Sequence, residues 1–260
     1  TIPMGVTTIK SAAFRNTGIK SLTIPDSVIS MDGSNFVGGV FEGCTQLQNI
    51  SIGKGLTQLP SSAFAGCTAL TSIAVPANIS NITGSFSGCT SLQQVQLSEG
   101  LETLGYGAFS RCTSLEEIIL PKSCTGFEIR VFDGCTGLKK VTMNGGPKYG
   151  LANGFDSENP KVFSNCPNIQ EVVFGDNVAT VYDWFKDKLK LSKVTIGTAS
   201  VVDKNAFSGC TNLSDVTLSE SLKEIRENAF KGCEQLSTIN LPNSIELIGI
   251  SSFNKTGLTS

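Results

Sequence analysis

Cysteine is the most reactive residue type in this 260-residue chain, which contains nine cysteines and no histidine. Thiols can pair as disulfides, bind zinc or act as nucleophiles. The absence of histidine excludes Ser–His–Asp and Cys–His catalysis and every histidine-containing zinc site. No Cys-x-x-Cys pair is present either, so the spacing does not favour zinc. Paired carboxylates are the remaining route to an enzyme.

Eight of the cysteines share one position in a repeated phrase, three residues after a phenylalanine. The phrase is Phe-x-x-Cys-x-x-Leu-x-x-Ile-x-Leu-Pro, and Phe109–Pro121 is a complete copy. The ninth, Cys124, follows Leu120 by four residues, where other copies have Leu or Ile. The eight are Cys44, Cys67, Cys89, Cys112, Cys135, Cys166, Cys210 and Cys233.

These cysteines occupy positions where the repeat has a small or medium apolar group, and a free cysteine packs as one. We therefore predict buried free thiols. Disulfides between stacked copies are the alternative, because equivalent positions of adjacent coils come within bridging range. The odd number of cysteines, and the Thr or Lys at this position in three copies, favour packing.

The repeat itself has a period of 22 or 23 residues in eight of its ten intervals. Each unit offers too few apolar positions to close a core alone, so the units are stable only when stacked. We predict a single solenoid over residues 1–260, with about ten to eleven repeats, truncated at both ends and interrupted by an insertion at 144–160. The anchoring phenylalanines are Phe14, Phe41, Phe64, Phe86, Phe109, Phe132, Phe163, Phe185, Phe207, Phe230 and Phe253.

The segment around each Ile-x-Leu pair, such as Glu117–Pro121, has the alternating pattern of a half-buried strand. Successive copies would stack as parallel strands about 4.8 Å apart. The residues before each Phe suit a short helical turn that ends at Gly-Cys.

The phrase, with its Val/Leu-x-x-Ile-x-x-x-Ala-Phe return, resembles the BspA-like (Treponema pallidum-type) leucine-rich repeat over essentially the whole chain. The resemblance implies a mostly β leucine-rich-repeat solenoid. This would be a right-handed superhelix of 23-residue coils with a parallel β-sheet on the concave face and short strands or helical turns elsewhere. It also implies a bacterial surface or secreted protein associated with adhesion to host matrix proteins and to cells, and it supplies no catalytic motif.

The amino-acid composition limits the classes of partner that this chain is expected to bind. The formal net charge is −2 and the basic residues are scattered singly, which does not suit nucleic acid. No apolar run is long enough to span a bilayer, and no signal peptide is present. We expect a protein ligand, drawn from host extracellular-matrix or cell-surface proteins, and we expect no cofactor and no membrane span in this segment. The oligomeric state is left open.

The outward positions of the expected strands are the candidate binding residues, because repetition makes an extended surface there. Their charges alternate in sign from Glu117 to Asp215, so neighbours either pair with one another or form a charge-coded docking strip. In the 144–160 insertion, Tyr149 and Phe155 either anchor a partner or seal the stack. The strand candidates are Gln94, Gln96, Glu117, Ile119, Lys140, Thr142, Glu171, Val173, Lys193 and Asp215.

The leading functional hypothesis is a non-enzymatic protein-binding or adhesion module at the cell surface or outside the cell. Its ligand would lie on the sheet face, on the 144–160 loop or on both. A passive spacer that presents other domains is the alternative, and a carbohydrate-active enzyme is the third hypothesis.

Overall fold

The computed structural model describes residues 2–32, 37–147 and 162–259. It contains two compact units, one of Thr1–Leu138 with Pro160–Cys166 and one of Lys139–Asn159 with Pro167–Ser260. Each unit is a parallel β-solenoid with almost no helix among the described residues. The mostly β solenoid expected from the repeat is confirmed, and the assignment of the chain to a single domain stays a prediction.

Nine coils each contribute one longer strand among the described residues, and these strands form the long-strand face of their unit. Paired neighbours run parallel, in the register that the repeat predicts, so that Ser72 pairs with Gln94 and Glu171 pairs with Lys193. In the first unit the strands are Ser21–Ile24, Asn49–Ile52, Ser72–Val75, Gln94–Leu97 and Glu117–Leu120. In the second they are Lys140–Met143, Glu171–Phe174, Lys193–Ile196 and Asp215–Thr217.

These strands form because their apolar residues alternate with polar ones, which lets one side of the strand be buried. In Glu117–Leu120, Ile118 and Leu120 are fully buried, while Glu117 and Ile119, which alternate with them, are exposed. The copy around Ile239 differs, since residues 237–241 form no strand. Its inward Leu241 is 43 % exposed, so this copy buries less apolar surface than the strand Glu117–Leu120 does.

A second row of two-residue strands lies later in ten of the coils and also pairs in parallel. In the first unit these are Thr8–Ile9, Ser30–Met31, Gln58–Leu59, Asn81–Ile82, Thr103–Leu104 and Gly126–Phe127. In the second they are Thr180–Val181, Val201–Val202, Glu224–Ile225 and Leu247–Ile248.

The segment around each anchoring Phe is a pair of tight turns. Among the described residues, only Asp183–Phe185 is long enough to form a 3₁₀ helix. In the Phe109 coil, Gly107 and Arg111 have left-handed backbones, with φ of 59° and 60°. A left-handed residue on each side of the Phe stops a right-handed helix from continuing, so the predicted helical turn is limited to single hydrogen-bonded turns.

The core of each unit is built from columns of identical residues. Phe109 is fully buried, and its ring stacks between those of Phe86 and Phe132 at centroid separations of 5.4 and 5.7 Å. The nine cysteines are all buried and free, so the predicted thiol packing is confirmed and the disulfide alternative is wrong. The coils are thus layers that bury one another's apolar side chains.

Candidate functional site

The thiols, which are the most reactive groups in the sequence, are built into the core. Each of the eight repeat cysteines donates a hydrogen bond to the carbonyl oxygen of the anchoring Phe of the preceding coil. The Sγ of Cys135, for example, lies 3.1 Å from the carbonyl oxygen of Phe109. Burial raises the pKa of the Cys89, Cys124 and Cys233 thiols to about 12. Thiols with such pKa values stay protonated near neutrality, so they are poor nucleophiles and poor metal ligands.

In residues 2–32, 37–147 and 162–259, no group of three or more Cys, Asp or Glu side chains is arranged to hold a metal ion. The same part of the chain has no helix long and apolar enough to cross a bilayer. In the described residues, the groups available to a binding partner are therefore those of the exposed surfaces.

In the first unit, the long-strand face is mostly uncharged. Gln94 and Gln96 are exposed on one strand, in register with Ser72 and Ala74 of its neighbour. On Glu117–Leu120, the outward Glu117 is exposed and Ile119 is 49 % exposed. These candidates lie on the outward positions that the alternating pattern predicts, with one apolar side chain among polar ones.

In the second unit, the same face is charged. Lys140, Glu171, Lys193 and Asp215 follow one another in strand register. The ammonium of Lys140 lies 3.6 Å from the Glu171 carboxylate, and that of Lys193 lies 3.7 Å from the Asp215 carboxylate. Pairing between neighbours thus accounts for these two contacts. Exposed ion pairs of this kind contribute roughly 0–1 kcal/mol each, so a partner could replace them at little cost.

The second column of this face is less polar. Thr142 pairs with Val173 in register, and Val173 pairs with Thr195 on the next strand. All three outward side chains are half-buried. Beside the strands of the same unit is a shallow open groove with an amide- and hydroxyl-rich lining, formed by Gln170, Lys190, Ser192, Asn212, Ser214 and Gln235.

The candidates therefore divide between the units. Gln94, Gln96, Glu117 and Ile119 lie on the first, and the other strand candidates lie on the second. Tyr149 and Phe155 of the insertion lie outside the described residues. A further exposed group, on the turn side of the first unit, was missed by sequence reasoning. The sequence feature that could have indicated this group is Tyr106. This aromatic residue lies three residues before an anchoring Phe, at a position where several other copies have Ser or Thr.

Parallel coils of 22 or 23 residues, with two rows of parallel strands and internal columns of Phe, Cys and Leu, define a leucine-rich-repeat solenoid. The family model described as "BspA type Leucine rich repeat region (6 copies)" matches residues 7–139, 82–184 and 147–260. The chain belongs to this BspA-type leucine-rich repeat family. No curated protein matches the sequence significantly.

Solved structures agree with this assignment. The chain is similar to a leucine-rich repeat protein from Bacteroides ovatus, with 28 % identity and a TM-score of 0.72, over 98 % of this chain and 63 % of that one. It also resembles a leucine-rich repeat protein from Eubacterium ventriosum, at 24 % identity and a TM-score of 0.52, with the same coverage. The pneumococcal vaccine antigen PcpA shares the fold at 24 % identity and a TM-score of 0.50, over 94 % of this chain and 64 % of its own. The chain thus spans less than two thirds of each of these relatives.

Proposed function

We propose that this protein is a non-enzymatic binding module that holds a protein ligand on its long-strand face. The observation that supports it is the exposure, in both units, of outward strand side chains that the core does not use, such as Gln94, Gln96, Lys193 and Asp215. Repeated coils present such side chains at regular intervals, which gives an extended surface suited to a macromolecule.

The chemistry of the face suits a protein partner. The first unit offers amides beside Ile119, which is a polar surface with one apolar contact, as found in many protein interfaces. The second offers the two weak ion pairs, Lys140–Glu171 and Lys193–Asp215, whose charges could be re-paired by charges of the ligand. Thr142 and Val173 would add contact area between them.

We further propose that the ligand is a host extracellular-matrix or cell-surface protein, and that the module is secreted or displayed at the cell surface. The family assignment supports this proposal. Tyr149 and Phe155 of the 144–160 insertion are proposed as additional aromatic anchors, since aromatic residues often contribute most of the binding energy of an interface.

The proposal is tested with two exposed isoleucines of the first unit. Ile119 is 49 % exposed on the long-strand face, whereas Ile29 is 65 % exposed and lies outside the long strands. The intact protein, Ile119→Ser and Ile29→Ser would be compared for binding to a panel of immobilised extracellular-matrix proteins by surface plasmon resonance. We expect saturable binding that weakens at least tenfold in Ile119→Ser and is unchanged in Ile29→Ser.

Absence of saturable binding by the folded protein would overturn the proposal and favour the spacer hypothesis. Equal weakening in both variants would assign the binding to a surface other than the long-strand face.

A further inference from the structure

A second exposed group lies on the turn side of the first unit and consists of Tyr106, Ile129 and Arg130, here called the turn patch. Tyr106 and Ile129 occupy the same position in successive coils, three residues before Phe109 and Phe132. Their exposed fractions are 48 % and 49 %, and Arg130 is also exposed. Two large apolar side chains thus lie beside a guanidinium at the surface.

Hydrogen bonds of the backbone and of the side chains join the two coils that carry the turn patch. The backbone N–H of Tyr106 donates to a carboxylate oxygen of Glu128 at 2.8 Å. The N–H of Gly107 donates to the carbonyl oxygen of Ile129 at 3.3 Å. Arg130 then donates from Nη1 to the Tyr106 hydroxyl at 3.3 Å. The Tyr106 and Arg130 side chains are therefore held against each other before any partner arrives, which reduces the entropy lost on binding.

Among the described residues, the guanidinium of Arg130 has no acidic partner. A guanidinium has five N–H donors, and the contact with Tyr106 employs one of its nitrogens. Arg15 and Arg226 pair with acids, at 3.3 Å from Glu42 and 3.0 Å from Asp203. For Arg130, no carboxylate of the described residues lies within ion-pairing distance.

The backbone does not explain an arginine at this position. Arg130 has φ of 63°, a left-handed conformation that favours glycine, and Gly84 and Gly107 occupy the equivalent position in two preceding coils. Tyrosine and arginine are also the residue types most enriched among the side chains that dominate protein interfaces.

We propose that the turn patch is a docking surface for a protein segment that carries a carboxylate next to an aromatic or aliphatic side chain. The carboxylate pairs with the unused N–H groups of Arg130, whose planar fork suits a bidentate contact. The apolar side chain packs on Tyr106 and Ile129. This surface is separate from the long-strand face and does not depend on a ligand binding there.

The test pans a phage-displayed random peptide library on the intact protein and measures affinities of the enriched peptides. Arg111→Gln is the matched control. Arg111 is likewise exposed and left-handed, with φ of 60°, and it forms no ion pair with a carboxylate of the described residues. We expect peptides with Asp or Glu beside an apolar residue, bound at least tenfold more weakly by Arg130→Gln, Tyr106→Ala and Ile129→Ser. Arg111→Gln should bind them unchanged.

Circular dichroism and urea unfolding would establish that each variant is folded. Failure to enrich any peptide, enrichment of peptides without an acidic residue, or equal weakening by Arg130→Gln and Arg111→Gln would each overturn the proposal. Phosphatidylserine vesicles are a second probe, and if they bind with the same dependence on Arg130 while peptides do not, the surface belongs to a membrane contact instead.

Discussion

The thiol of Cys112 donates a hydrogen bond to the carbonyl oxygen of Phe86, 3.3 Å away in the preceding coil. The same relationship recurs at the other repeat cysteines, so each coil that carries one is joined to the coil before it through the core. Where Thr17 replaces the cysteine, its hydroxyl donates to the carbonyl oxygen of Phe14 at 2.8 Å. The Cys and Thr copies of this position thus share a small side chain that donates a hydrogen bond to a Phe carbonyl oxygen, and a buried carbonyl oxygen without a donor is costly.

The first prediction concerns the reactivity of these thiols. All nine cysteines are buried, and burial raises the pKa of Cys89 and Cys124 to about 12. Because thiolates are the reactive species, the folded protein should react with a thiol-specific reagent only slowly at neutral pH. We expect almost no labelling by dithionitrobenzoate in native buffer and labelling of nine thiols in guanidinium. Rapid labelling of several thiols in the folded state would contradict the burial of the nine cysteines.

The second prediction is a loss of stability at alkaline pH. The pKa of Cys233 rises from 9.0 to about 12 because burial disfavours the thiolate. A pKa that is higher in the folded state stabilises the fold below the unfolded value and loses that effect as pH rises toward the folded value. Between pH 9 and 12, each such thiol should lower the free energy of unfolding by about 1.4 kcal/mol per pH unit.

Urea unfolding at a series of pH values measures this effect. The control is the same series after substitution of Cys124 by Val, which removes one titrating group and should reduce the slope. An unfolding free energy that is constant between pH 9 and 12 would be incompatible with raised thiol pKa values.

The third prediction tests whether the coils support one another as layers. Phe109 is fully buried between two rings, whereas Phe14 is half-buried and stacks on Phe41 alone. Phe109→Ala should lower the free energy of unfolding by about 3–5 kcal/mol through the cavity it leaves. Phe14→Ala should cost about half as much or less, since less apolar surface is removed from the core. Equal losses in urea unfolding would argue against stabilisation by nearest neighbours.

Much of the fold could be predicted from the sequence because the repeat places identical residues at identical positions. Cys124 shows how far this reaches, since its alignment with Leu and Ile predicted burial and it is fully buried. The hydrogen bond from Cys112 could not be predicted, because spacing does not reveal where a thiol hydrogen points. The absent strand around Ile239 also escaped prediction, since its pattern matches the other copies and only its exposure differs.

The candidate site was predictable to a lesser degree. Strand alternation correctly placed Gln94, Ile119 and Lys193 on the outward side, because that pattern has a strict period of two. Which outward residues bind a partner does not follow from alternation, so their role stays a prediction. The turn patch was missed because Tyr106 and Arg130 lie at variable positions of the repeat, and only the folded turns bring them together.

The last prediction concerns the left-handed position two residues after each anchoring Phe, which is Gly88 in one coil and Arg111 in the next. A left-handed backbone is unfavourable for residues with a Cβ by about 1–2 kcal/mol. A Cβ on Gly88 would meet its nearest neighbour, the backbone nitrogen of Gly66, at 3.7 Å, which is an ordinary contact. Gly88→Ala should therefore destabilise the protein by about 1 kcal/mol through backbone strain alone.

The reverse change at the same position should stabilise the protein. Arg111→Gly relieves the strain at φ of 60° and keeps the backbone hydrogen bond to the Asp133 carbonyl oxygen, so we expect a gain of about 0.5–1 kcal/mol. Urea unfolding of the two variants measures both effects, with Arg111→Gln as a control that changes charge but not strain. If Arg111→Gly is no more stable than Arg111→Gln, the left-handed turn is not the source of the cost.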